Sequence, residues 1–204
     1  MPNWCDNRAT FTHEDPEQIT RLVNAAKAGK LFNEFLPMPT ELLEEAPIGD
    51  DYQERSAAIK VRNEEKFGYP SWYVWAIDNW GCKWDISEVP EEIFELSKDG
   101  KTVSFSFDTA WGPPTEWYDN IEGFYIKAYY YEPGAGFCGS WTSENGDDQY
   151  EIGDDIDDAK ERIPSHILDA MGIIEDLEAW LDANEDEIGM DDAEDGDENE
   201  GDGE

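Results

Sequence analysis

Nine tryptophans are spread along a chain of 204 residues, and two short segments set several of them beside glycine, proline and charge. Asn79-Trp80-Gly81-Cys82-Lys83-Trp84 and Thr109-Ala110-Trp111-Gly112-Pro113-Pro114 combine flat aromatic faces with glycines that admit close backbone approach. Trp80, Lys83, Trp84 and Trp111 are therefore candidate residues for a ligand platform. The plainer reading is core packing, because a sheet-rich domain short of long aliphatic side chains buries its aromatics instead.

Asp78, Asp85, Asp108 and Glu116 flank the same tryptophans, and carboxylates converging on one point would hold Mg²⁺ for phosphoryl chemistry. In a chain with fifty-one carboxylates such neighbours arise by chance, so neither a metal nor any other cofactor is expected. His13 and His166 stand beside expected helix starts and read as capping or surface residues. No nucleophile, base and orienting group can be named together, which argues against an enzyme.

The acids themselves are the other candidate chemistry. Fifty-one Asp and Glu against fourteen Lys and Arg give a net charge of −37, which repels nucleic acid and anionic membrane surfaces. The expected partner is a basic protein, one that normally binds nucleic acid. Residues 153–204 hold twenty-two acids and two basic residues, net −20; residues 1–152 hold twenty-nine and twelve, net −17. Duplex DNA carries about one charge per 1.7 Å of axis, so about two dozen carboxylates imitate roughly 40 Å of it. Asp154, Asp155, Asp157, Asp158, Asp169, Glu175, Asp176, Glu178 and Asp182 are the candidate partner-binding face. Solubility alone also produces acidity, and that reading stays open.

Several elements position these groups. Residues 3–12 show a period-two pattern with Trp4, Asn7, Ala9 and Phe11 inward, which predicts a strand. Asp15-Pro16 opens an amphipathic helix that Gly29 stops. Residues 31–48, interrupted by prolines, read as a packed irregular loop. The polar stretch 52–67 is helix-compatible, and 72–80 predicts a buried helix ended by Gly81.

Residues 84–89 are expected to form a second strand, and 101–108 form the clearest one, with Val103, Phe105 and Phe107 alternating against Thr and Ser. A short helix opens at Pro113-Pro114, and strands are expected at 124–131, 137–142 and 149–152, the last two joined by an Asn145-Gly146 turn. Phe105, Phe107, Tyr125, Tyr129 and Tyr131 invite comparison with sheets that stack RNA bases, but only Lys101 and Lys127 lie nearby to neutralise phosphates. Pro164-Ser165 starts a helix in which Ala170, Met171, Ile174, Leu177 and Leu181 share the docking face. From 182 onward thirteen of twenty-three residues are acidic and none is basic, which predicts a disordered tail.

Cys5, Cys82 and Cys138 are odd in number and widely spaced, fitting neither a disulfide framework nor a CxxC metal site. Together with an N-terminus that lacks a signal-peptide pattern, and no apolar run long enough to span a bilayer, they point to a reducing, cytoplasmic setting.

Pro2-Asn3-Trp4-Cys5-Asp6-Asn7, Asn79-Trp80-Gly81-Cys82-Lys83-Trp84-Asp85 and Asp108-Thr109-Ala110-Trp111-Gly112-Pro113-Pro114, in this order, resemble the YubB ferredoxin-like family. The resemblance spans roughly residues 1–152 and implies an α+β, ferredoxin-like β-α-β-β-α-β core with an antiparallel sheet, carried by phages or conjugative plasmids. It implies no catalytic residues. Cys82 stands where threonine, and His13 where glycine, fits the family pattern.

The expected organisation is a ferredoxin-like domain over 1–152 with an extra hairpin, an acidic segment and amphipathic helix over 153–181 docked on that core, and a disordered acidic tail over 182–204. The expected function is a non-enzymatic acidic protein of a phage or mobile element that mimics nucleic acid and inhibits a host defence nuclease or another basic nucleic-acid-binding protein. The alternative is a small-molecule or nucleotide-binding module built on the tryptophan-lined loops.

Overall fold

The computed structural model describes residues 3–46, 48–49, 51–153 and 155–191, with 184–191 described by backbone alone. The chain divides into two compact units, Met1–Glu151 and Ile152–Glu204.

The first unit is α+β. Six strands form one antiparallel sheet: β1 (Trp4–Thr12), β2 (Glu95–Leu96), β3 (Thr102–Ala110), β4 (Tyr125–Glu132), β5 (Phe137–Thr142) and β6 (Gly146–Glu151). Their order is β2-β3-β1-β4-β5-β6. Because β3 pairs antiparallel with both β1 and β2, those two run parallel to each other with β3 between them. The hairpin β5-β6 extends the sheet beyond β4.

Cys5, Asn7, Ala9 and Phe11 are the buried residues of β1, and Trp4 is half exposed. The pleat is the expected one, with Cys5 in place of Trp4 as the first inward residue. Val103, Phe105 and Phe107 on β3 and Ile126, Ala128 and Tyr130 on β4 share this buried face. Tyr125, Tyr129 and Tyr131 pair opposite Thr12, Arg8 and Asp6 and therefore lie on the other face. The single aromatic sheet face inferred from sequence is thus two half-sets on opposite faces.

The helices of this unit are α1 (Pro16–Lys27), α2 (Leu31–Phe35), α3 (Tyr52–Phe67), α4 (Trp72–Trp80) and α5 (Thr115–Asn120). Asp15 caps α1 by accepting from the Glu17 amide at 2.9 Å, and Pro16 occupies its first turn. Ile19, Leu22, Val23 and Ala26 then join the core with Phe32, Trp75, Trp80 and Trp117. Trp117 is fully buried, and its indole N–H donates to the Phe32 carbonyl at 3.2 Å, so no polar atom of this ring is stranded.

Two expectations fail here. Residues 31–48 are not wholly irregular: α2 forms before the prolines begin, and a 3-10 turn spans Thr40–Leu43 after them. Residues 84–89 form no strand. Ile86 and Val89 are buried, but the backbone is spent elsewhere: the Val89 amide donates to the Ala26 carbonyl at 3.1 Å. The strand beside β3 is instead the two-residue β2.

The second unit holds α6 (Ile156–Arg162), α7 (Ser165–Met171) and α8 (Ile173–Asp191), with α8 in contact with α6 and α7. Gly172, at φ 66, breaks the single helix expected from 165 to 181. The break shifts the inward positions to Ile173 and Leu177, while Ile174 is only half-buried. The boundary expected at 182 falls inside α8, whose Ala, Leu and Glu content favours continued helix to Asp191; residues 192–204 lie outside the described set. No helix among the described residues is long and apolar enough to cross a membrane.

Gly139 of β5 is required by a close approach. A β-carbon there would strike the Tyr130 ring, whose hydroxyl crosses β5 to donate to Asp147 on β6 at 2.7 Å. Gly139→Ala should lower stability by about 1–3 kcal/mol, as overpacking does, read as a shift in the urea midpoint without a change in slope. All three thiols are free and buried, and burial pushes the Cys138 thiol up to about 11 and those of Cys5 and Cys82 further. Iodoacetamide at pH 8 should therefore leave the native chain unlabelled over a time in which the urea-unfolded chain takes up three equivalents; rapid native labelling would contradict this packing.

Candidate functional site

Two glycines let the tryptophan segments meet. Gly81, at φ 82, ends α4, and a side chain there would collide with the Glu116 carboxylate and lie 3.1 Å from the Pro113 carbonyl oxygen. Gly29, at φ 62, follows α1, and a β-carbon there would sit 3.2 Å from both the Glu88 nitrogen and the Ile86 oxygen. The segment 81–89 is thus held on one side by the start of α5 and on the other by the turn between α1 and α2.

Asp85 locks the arrangement. Its carboxylate accepts from the amides of Phe32, Asn33 and Ile86, each at 2.9 Å, and so caps the first turn of α2 from a distant part of the chain. Burial pushes this carboxyl above its ordinary range, and the amides of Phe32, Asn33, Ile86 and Leu31 pull it back in part.

Between these elements lies a cavity of about 540 Å³. Its apolar wall comprises Trp72, Trp80, Trp84, Met38 and Leu43, and Lys30, Asn33, Thr40, Glu45, Lys83 and Asp85 supply the polar groups. Trp80 is a fixed wall: it is buried, donates from its indole N–H to the Leu36 carbonyl at 3.0 Å, and meets Trp75 edge-on at 5.3 Å. Trp84 is half exposed and presents ring surface to solvent.

Lys83 has an unusual setting for a cation in so acidic a chain. Its ammonium lies 4.2 Å from the Trp84 ring centroid, 5.1 Å from that of Trp111 and 6.0 Å from that of Tyr73. No ion pair involves it among the described residues, whereas at least seven of the fourteen basic residues are paired with carboxylates. Trp111 is held at φ 73, a backbone conformation that bulky side chains rarely adopt. Its amide donates to the Asn3 carbonyl at 3.0 Å, and the Thr109 hydroxyl donates to the Gly112 carbonyl at 2.7 Å, which together fix this turn.

Of the four platform residues named from sequence, Trp80, Lys83 and Trp84 line one cavity, with Trp80 part of the core as well. Trp111 lies 5.1 Å from the Lys83 ammonium, ring centroid to nitrogen, and is not among the lining residues. Trp72 and Lys30 were missed: Trp72 reads as one more apolar residue of a buried helix, and Lys30 follows Gly29 with no local signal beyond its charge.

The acidic candidates belong to the second unit. Asp155 accepts from the amides of Asp157 and Asp158 as the N-cap of α6, and Asp158 pairs with Arg162, so both have local roles. Asp157, Asp169, Glu175, Asp176, Glu178 and Asp182 are exposed, and Asp154 lies outside the described residues. Asp78 accepts from the Tyr69 hydroxyl at 2.7 Å and Glu116 from the Thr115 hydroxyl at 2.8 Å. Among the described residues no three His, Cys, Asp or Glu side chains are grouped so as to hold a metal ion.

Compared with known proteins, the chain matches no family model and no curated sequence. Among solved structures it is similar to protein Api92 from Yersinia pseudotuberculosis, of the family DUF1281, at 10% identity and a TM-score of 0.35, over 75% of this chain and 99% of that one.

Proposed function

We propose that this protein is a non-enzymatic binding module that takes a small molecule in the cavity between α2, α4 and the 81–85 segment. The observation that carries the reading is the cavity itself. At about 540 Å³ it falls in the range of ligand sites, and its walls combine three indole rings with a few convergent polar groups. The strained Trp111 and the ring-held ammonium of Lys83 beside it are supporting features, since such outliers cluster at ligand clamps.

The strand order supports placing the core in the YubB ferredoxin-like family. β1 and β2 are parallel about β3, and β3 and β4 are parallel about β1, which is the pattern of two interleaved β-α-β units. The resemblance implies a phage or plasmid origin, the three free thiols suit a cytoplasmic setting, and the three recognised segments adjoin one another around Gly81, Trp111 and Asn3.

A second reading rests on a separate observation. From Ser165 to Asp191 the sequence has nine acids and no Lys or Arg. We infer a surface for a basic, nucleic-acid-binding host protein, with acids steering association. Glu175→Gln, Asp176→Asn and Glu178→Gln together should lower the salt concentration at which such a partner elutes from the immobilised protein. No retention of any basic nucleic-acid-binding protein at physiological salt would defeat this reading.

The small-molecule reading is tested by native mass spectrometry after incubation with a pool of heteroaromatic metabolites. Trp84→Ala is the informative variant, because Trp84 is half exposed and its loss leaves the core intact, whereas Trp80→Ala removes a buried ring at a cost of about 3–5 kcal/mol. The expected outcome is a retained compound with the native chain and at least a tenfold loss with Trp84→Ala. Absence of any retained compound sinks the proposal.

A further inference from the structure

The charges around the cavity specify its ligand more narrowly, and this step rests on the small-molecule reading above. Two of its lining residues are lysines, Lys30 and Lys83, and neither stands in an ion pair among the described residues. Three of the nine lysines, Lys27, Lys66 and Lys101, pair with Glu91, Glu41 and Glu14, so what distinguishes Lys83 is its setting rather than the lack of a carboxylate partner. Lys83 is instead held against three aromatic rings, which attract its charge without neutralising it.

The two acids on the same wall balance the lysines in formal charge but differ in what they leave open to a ligand. Asp85 is already engaged by the amides of Phe32, Asn33 and Ile86, and a cationic ligand would have to compete with all three. Glu45 is exposed and is the remaining carboxylate of the lining. With Thr40 it gives the cavity acceptors for ring N–H or amino groups.

We propose that the cavity binds a flat heteroaromatic ring bearing a phosphate or carboxylate, with the ring against Trp84 and Trp72 and the anion on Lys83 and Lys30. Stacking on indole tolerates any planar ring and contributes about 1–3 kcal/mol, so the ring supplies affinity. The lysines supply selection for the anionic form, since an ammonium donates charge-assisted hydrogen bonds to either oxyanion. Lys83 makes this contact while keeping its methylene stem and one face of its charge on the rings. The cavity volume of about 540 Å³ accommodates a mononucleotide-sized molecule.

Isothermal titration calorimetry on the full-length protein tests the proposal with four probes: adenosine 5′-monophosphate, indole-3-acetate, adenosine and inorganic phosphate. One or both ring-bearing anions should bind at least tenfold more tightly than adenosine, and inorganic phosphate should displace neither at equal concentration. The two anions separate phosphate from carboxylate as the preferred group. Lys83→Ala should weaken the preferred anion at least tenfold while changing adenosine less than threefold, and Lys83→Arg should restore most of the loss. If adenosine binds as tightly as the anions, or Lys83→Ala weakens both equally, the anion assignment is overturned and the cavity reading stands. If none of the probes binds while the metabolite pool still yields a compound lost in Trp84→Ala, the assignment also fails and the cavity reading again survives.

Discussion

The contact on which the site depends is the carboxylate of Asp85 against the opening turn of α2. It joins positions fifty-two and fifty-three residues apart through the amides of Phe32 and Asn33, and it takes the Ile86 amide as well. A helix of five residues cannot supply its own first-turn acceptors, and Lys30, its N-cap residue, makes no side-chain cap. Asp85 supplies that cap, and in doing so it pins the segment that carries Lys83 and Trp84. The burial that raises its carboxyl pKa is the cost of placing the cap where the cavity wall must be.

The other constraints act on the same segment from different sides. Gly81 and Gly29 lack β-carbons where Glu116, Pro113, Ile86 and Glu88 come closest, so the backbone of 81–89 runs in a slot that side chains at either glycine would close. Trp111, at a positive φ, adds a strained residue that neighbouring bonds must hold in place. Thr109 does so from β3: its hydroxyl accepts from the Asn7 side chain at 2.8 Å and donates to Gly112 at 2.7 Å. Strand β1, the turn after β3 and the turn after α4 are therefore one connected structure. That is a physical reason for the three sequence segments to be distinctive, whatever ligand they serve.

What the sequence disclosed follows from which forces are local. Caps and stops were legible because their chemistry is local: Asp15-Pro16, the limits of α3 and α4, and the Gly81 stop. Period-two alternation found β1, β3 and β4, and it misassigned Trp4 because Cys5 is as apolar as a small core residue but carries no aromatic signal. The division of Phe105 and Phe107 from Tyr125, Tyr129 and Tyr131 depends on pairing register across β1, which no single strand encodes. Residues 84–89 have strand-like composition, but the Val89 amide goes to the Ala26 carbonyl of α1 and the Ile86 amide to the neighbouring Asp85 carboxylate. The cavity was half legible for the same reason: Trp80, Lys83 and Trp84 are adjacent in sequence, while Trp72 and Lys30 arrive by tertiary packing.

Acidity, the most conspicuous property of the sequence, becomes informative through its exceptions. Most of the fifty-one carboxylates are a field rather than a site, screened within about 8 Å at physiological ionic strength. Against that field, a basic residue held by aromatic rings rather than by a carboxylate calls for a local explanation. Pairs such as Arg21–Glu34 and Arg62–Glu44 show the ordinary outcome: a guanidinium settles on the nearest carboxylate at 2.6 or 2.8 Å. Lys83 lies instead among indole and phenol rings, and the acid two positions on, Asp85, is occupied by backbone amides. The fold thus keeps a positive charge beside a cavity, held by rings rather than by a carboxylate. Global acidity and the proposed anion-binding pocket are compatible, since the surrounding negative field would favour ligands small enough to enter over extended polyanions.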